Sequence, residues 1–185
     1  MEEIIVNEKN NKLIKMLAWI LIVLSAILLI RSLFALFFYS YVLNQLITPD
    51  HPFHFTKPYY FVYIIEFVIE FIICAFILIS SIFVLKLKNN WRKGLVNVLA
   101  VGLLYLIVYP IVNYYNHLTL QTLTNKLIEK NLNNGFNESY SIWYYVPTVL
   151  IAVLFIYVIK KLSEAEIKSI FVQSASPVKS MRSST

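Results

Sequence analysis

The chain is poor in the residues that build most catalytic and metal-binding machinery. One cysteine, Cys74, stands among 185 residues, which excludes an intramolecular disulfide framework and multi-cysteine metal sites. Three glycines are too few for a glycine-rich phosphate loop. Charged residues make up 14% of the chain, and they include no H-E-x-x-H motif and no Glu-x-x-His pair of the kind helical di-metal sites use. No nucleophile stands beside a base in a recognisable pattern. These gaps predict a protein that is not an enzyme and that holds no cofactor and no metal.

What is abundant is apolar surface. Residues of the AVILMFWYC class reach 59% of the chain and the mean hydropathy is +0.69, values that belong to integral membrane proteins rather than soluble domains. The net charge of +6 is carried mostly by Lys and Arg beside the apolar runs. There it reads as an orientation signal, and nucleic acid is not expected as a partner.

Four apolar segments, about 16–43, 59–85, 94–115 and 143–159, are each long enough, or nearly so, to cross a hydrocarbon core of about 30 Å. The expected fold class is therefore all-α, a transmembrane four-helix bundle forming a single domain over residues 1–162. The first run far exceeds the signal-peptide h-region of about 7–15 residues and lacks a small-residue cleavage site, so it is read as retained. No inverted or parallel repeat of the transporter type links the two halves.

Lys9, Lys12 and Lys15 precede the first span, Lys86, Lys88, Arg92 and Lys93 lie between the second and third, and Lys160, Lys161 and Lys168 follow the fourth. The other two loops carry only Lys57, Lys126 and Lys130. Both termini are thus expected in the cytoplasm. Trp19 and Trp91 mark the inner interface, and Tyr39, Tyr41, Tyr59, Tyr60, Trp143, Tyr144 and Tyr145 the outer one.

Pro49, Pro52 and Pro58 make the first outer loop a stiff, extended connector. In the second, residues 116–142, Leu120, Leu123, Leu127 and Ile128 recur at helical spacing ahead of Gly135, which predicts a short amphipathic helix. Residues 163–185 read as a cytoplasmic tail. In it, a capping box formed by Ser163 and Glu166 starts a short helix carrying Ile167, Ile170 and Phe171, and disorder follows.

One stretch contradicts its surroundings: FVYIIEFVIEFIIC, residues 61–74, places Glu66 and Glu70 one helical turn apart inside an apolar run. Arg31 does the same in the first span. A single charge at mid-bilayer costs about 2.5–3.5 kcal/mol on insertion scales, so all three are expected to face inward. Counting at 1.5 Å per residue puts Arg31 about 12–15 Å, Glu66 about 9 Å and Glu70 about 15 Å below the outer interface. Tyr105 and Tyr109 of the third span fall in the same layer. Helices joined by a short loop are antiparallel neighbours, so Arg31 can reach Glu70, Glu66 or both.

Two carboxylates against one guanidinium leave one formal negative charge over, which calls for a proton or for water. Beside a contact with a partner subunit, two further readings of this Arg31, Glu66, Glu70, Tyr105 and Tyr109 cluster stay open. It is polar glue that fixes one helix arrangement, or it is a proton or cation site. Ala18, Ser25 and Ser32, spaced seven apart, form a stripe of small residues on which helix 2 is expected to pack.

Asp50, His51 and His54, with His117, are read as interfacial polar residues rather than zinc ligands. Asn137-Glu138-Ser139 matches a glycosylation sequon. The bias toward Ile, Asn, Lys and Tyr points instead to an AT-rich bacterial genome.

The junction at 79–107, through Leu85, Lys86, Leu87, Lys88, Trp91, Arg92 and Lys93, resembles small bacterial four-span membrane proteins of unknown function. The resemblance covers one helical hairpin and implies the topology only. The span count is shared with tetraspanins and claudins, whose extracellular cysteine signatures are absent here. The expected role is a non-enzymatic accessory, assembly or signalling component of the bacterial inner membrane. Its expected surroundings are the lipid bilayer and another membrane protein or a second copy. The alternative is a small transporter or channel subunit that uses an intramembrane Glu.

Overall fold

The computed structural model describes residues 2–45, 57–131 and 145–173. Among them are five helices: α1 (Glu2–Gln45), α2 (Lys57–Leu85), α3 (Asn89–Asn131), α4 (Val146–Ser163) and α5 (Ala165–Gln173). The first four are long and apolar enough to cross a membrane. Large apolar side chains such as Phe34, Phe37, Leu104 and Leu150 stay exposed on their outer faces, the surface that a helix offers to hydrocarbon.

The helices run longer than the apolar segments because nothing stops them. Residues 2–45 contain no Gly or Pro, so α1 takes in the polar arm ahead of residue 16, where Lys12 and Glu8 pair across one turn at 2.9 Å. The one proline within α3, Pro110, deprives a single carbonyl of its helical partner, and the helix continues through it. Beyond it, residues 111–131 again lack Gly and Pro. The helical character expected around Leu120–Ile128 is therefore the end of α3 and not a separate helix, and Gly135 lies outside the described residues. Pro58 and Pro147 sit in the first turns of α2 and α4, where a missing N–H costs nothing. Trp143, Tyr144, His51, His54 and the sequon at 137–139 also lie outside the described residues.

Chain order sets neighbours: α1 packs along α2, α2 along α3 and α3 along α4, while α5 folds back against α1, α3 and α4. The α2–α3 turn is a Schellman motif, with Lys88 N–H donating to Phe83 O at 3.5 Å and Leu87 N–H to Val84 O at 2.9 Å. Its left-handed position, usually glycine, is Leu87 at φ 52. The leucine side chain packs against the core. Phe83 stacks on Trp91 at 4.3 Å across the turn.

α4 ends at Ser163, and Glu164 alone, extended at φ −62 and ψ 143, separates it from α5. The residue ahead of α5 is thus Glu164 and not the Ser163 of the expected capping box. Ile167, Ile170 and Phe171 of α5 are buried. They join Ile14, Leu17, Val84, Leu95, Leu99, Val158 and Leu162 in one cluster. This apolar core fills the end of the bundle that holds the α2–α3 turn and α5, here termed the hairpin end. Toward the opposite, loop end the interior is polar.

Candidate functional site

The helical repeat brings one polar row inward from each wall of the loop-end half. On α1, Ala18, Ser25 and Ser32 are all buried, so the small-residue stripe packs within the chain. The hydroxyls return to their own helix, Ser25 to Leu21 O at 2.6 Å and Ser32 to Leu28 O at 2.8 Å, as serine does in apolar surroundings. Arg31 lies beside Ser32. On α2, Glu66 and Glu70 are 7% and 6% exposed. On α3, Tyr105, Tyr109 and Asn113 follow one another at i, i+4, and Asn113 Nδ2 donates to the Tyr109 hydroxyl at 3.4 Å.

The geometry selects among the pairings left open by the sequence. Arg31 Nη2 lies 3.0 Å from Glu70 Oε2, and Ser32 is also within hydrogen-bonding reach of that carboxylate. The Tyr105 hydroxyl donates to the backbone carbonyl of Glu66 at 3.2 Å. Neither carboxylate oxygen of Glu66 has a hydrogen-bond partner among the described residues, and both are buried. Among the described residues, the carboxyl without a positive partner is therefore Glu66, the one nearer the loop end.

Between these walls lies a half-enclosed cavity of about 920 Å³ lined by all four long helices, within the roughly 300–1,000 Å³ range of small-molecule sites. Arg31 and Glu70 line it, together with Tyr39, Tyr63, Tyr105 and Tyr109. From Tyr60 to Ile77, both lining residues, it follows α2 for about 25 Å at 1.5 Å per residue. Its floor is Ile77, Gly102 and Phe155, and beyond them the apolar core closes the hairpin end.

Much of the wall is aromatic. Tyr39 stacks on Tyr63 at 5.3 Å and on Phe67 at 5.5 Å, holding α1 against α2 above the ion pair. Tyr105 lies 5.6 Å from Tyr109. Tyr63 is hydrogen-bonded to Asn116, which is buried. Asn113, Asn116 and His117 belong with the tyrosines, although the sequence placed the last two in a loop. The signal was the spacing from Tyr105 through Tyr109 and Asn113 to His117, each four residues on. Only the hydropathy minimum after residue 115 hid it.

A second polar contact holds the floor. Arg92 is 6% exposed, donates from Nη1 to Leu162 O at 2.8 Å and from Nε to Asn89 Oδ1 at 3.0 Å, and lies over the Phe171 ring at 5.7 Å. It satisfies an end-of-helix carbonyl of α4 and ties α3 to α4 and α5. Read as one of several orientation charges in the sequence, Arg92 is the one that turns inward.

No family model matches the chain, and comparison with curated proteins and with solved structures finds no significant match.

Proposed function

We propose that this chain is a multi-pass integral membrane protein that binds a small solute inside its four-helix bundle, acting as a carrier or carrier subunit with Glu66 as its proton- or cation-binding group. The observation that carries this reading is the 920 Å³ cavity bounded by an ion pair, Arg31–Glu70, beside a buried carboxyl that has no partner among the described residues. Polar glue accounts for the pair, which is satisfied. It does not account for an unmatched carboxyl kept in an apolar bundle at a cost of several kcal/mol, about 3 on insertion scales. The closed hairpin end favours a carrier, which exposes its site to one side at a time, over an open channel.

The accessory or assembly reading keeps one observation of its own. α4 packs chiefly on α3 and leaves Leu150, Val153 and Ile156 exposed along one side, a face that suits lipid or a partner helix equally. The rest of the proposal follows from the sequence. Both termini lie in the cytoplasm, the membrane is the bacterial inner membrane, the protein is not an enzyme, and its hairpin at 79–107 is of the kind found in small bacterial four-span proteins.

Reconstitution tests the carrier reading. In liposomes loaded with a pH-sensitive dye, the wild-type chain is expected to relax an imposed proton gradient, and Glu66→Gln is expected to abolish that flux while Lys93→Gln leaves it intact. A folded wild-type protein that moves no protons in either direction sinks the reading and returns the cluster to a structural role.

A further inference from the structure

The wall of the cavity has a consistent chemistry. We propose that it is a site for a hydrophobic organic cation, of the quaternary ammonium or phosphonium class, held by tyrosine faces and by the charge of Glu66. This rests on the solute-binding reading above and names the class of solute.

The first argument is electrostatic. Arg31 and Glu70 cancel each other across 3.0 Å. Glu66 is left over, close enough to Tyr39, Tyr63 and Tyr109 to interact with them electrostatically, and Tyr105 is hydrogen-bonded to its backbone. An anion approaching the Arg31 guanidinium meets two carboxylates for one positive charge. A cation approaching the tyrosine wall meets a net negative charge in surroundings that screen it poorly.

The second argument is the wall itself. Five tyrosines that line the cavity, Tyr39, Tyr60, Tyr63, Tyr105 and Tyr109, belong to three different helices. Ring faces carry negative electrostatic potential, and aromatic cages are the usual means of holding quaternary ammonium groups, which have no N–H to donate. Below them the lining turns apolar, with Ile73, Ile77 and Phe155, a surface that suits hydrocarbon substituents. A small hydrated ion gains nothing from such a floor. Glu66 is buried and does not line the cavity, so it acts as a counter-charge that gives up its proton when the cation binds, and not as a direct ligand.

The experiment uses the purified full chain in detergent and equilibrium dialysis of radiolabelled tetraphenylphosphonium, with the isosteric anion tetraphenylborate as the paired probe. Saturable cation binding near one per chain is expected, with no saturable binding of the anion. Glu66→Gln is expected to weaken the cation by about tenfold or more, and Glu66→Asp, which keeps the charge, to retain most of the affinity. Thr148→Trp, which fills the cavity from α4, is expected to abolish binding without touching the charged residues.

Equal saturable binding of both probes overturns the cation class while leaving a solute cavity in place. Absence of saturable binding of either probe by a helical, monodisperse preparation overturns the site altogether. Unchanged affinity in Glu66→Gln removes Glu66 from it. Proton flux without phosphonium binding separates a failure here from a failure of the carrier reading.

Discussion

Arg31 and Glu70 are joined across α1 and α2 by a 3.0 Å contact in which the Glu70 side chain is buried and the Arg31 side chain is half exposed. Removing one partner strands the other charge, whereas removing both deletes the need for either. Arg31→Met, which strands the buried Glu70 carboxylate, is expected to cost about 3 kcal/mol, Glu70→Met less because the Arg31 side chain is half exposed, and the double variant clearly less than the sum of the two. Unfolding of the detergent-solubilised protein by SDS titration reads this directly. Strict additivity would deny the pair any direct coupling.

The two glycines of α3 make opposite predictions from the same substitution. A methyl group at Gly94 meets nothing within 4 Å, whereas at Gly102 it comes 2.9 Å from the buried Phe155 ring. Alanine is favoured over glycine inside a helix by up to about 1 kcal/mol. Gly94→Ala should show that gain as a higher Tm. Gly102→Ala should lose it, because Phe155 must shift and α4 with it. A matching gain at both positions would mean that the α3–α4 contact yields more readily than its geometry implies.

Leu87 holds a left-handed conformation at φ 52 that costs a non-glycine residue about 1 kcal/mol, and its side chain packs on the core. Leu87→Ala keeps the backbone cost and loses the packing, so it should destabilise. Leu87→Gly loses the same packing and relieves the backbone, so it should be the more stable of the two variants by about 1 kcal/mol. Thermal denaturation of the pair side by side decides the sign.

The parts of the fold that depend on hydrophobic length were readable in advance, and the parts that depend on where a helix stops were not. Four spans follow from apolar runs, and the Arg31, Glu66 and Glu70 layer follows from counting residues at constant rise. Helix ends obey different physics. Residues 2–15 and 116–131 are polar enough to lie outside hydrocarbon, but they contain no residue that ends a helix, so α1 and α3 continue past the expected boundaries.

Asn116 and His117 therefore fall outside the site that the sequence alone outlines. Ser163 was displaced from its expected cap for a similar reason, since nothing local stops α4 before it. Arg92 was invisible as an inward group because a positive charge beside a span is expected on orientation grounds alone. The choice of Glu70 over Glu66 as Arg31's partner turns on side-chain geometry across a helix pair, which no one-dimensional pattern contains.

Arg92 offers a test of how the hairpin end is closed. Its guanidinium reaches Leu162 O and Asn89 Oδ1 at once and lies over Phe171, which a single ammonium cannot reproduce. Arg92→Lys should keep any orientation effect of the charge while costing about 1.5–3 kcal/mol, the worth of a charge-assisted hydrogen bond. Arg92→Met, which leaves the Leu162 carbonyl without this donor, should cost more. Faster proteolysis within α5 than elsewhere would show that the loss is local to the α3–α4–α5 junction.

The orientation of the bundle is open to labelling. Asn44, near the loop end of α1, and Asn90, in the first turn of α3, are both exposed and lie at opposite ends of the spans. The excess of Lys and Arg around the α2–α3 turn predicts that this end faces the cytoplasm. In a Cys74→Ala background, Asn44→Cys should therefore react with a membrane-impermeant maleimide in intact cells, and Asn90→Cys only after lysis. The reverse pattern would place the loop end of the bundle on the cytoplasmic side. Labelling of both positions in intact populations would instead indicate dual insertion, in which case the charge asymmetry between the two ends does not set a single orientation.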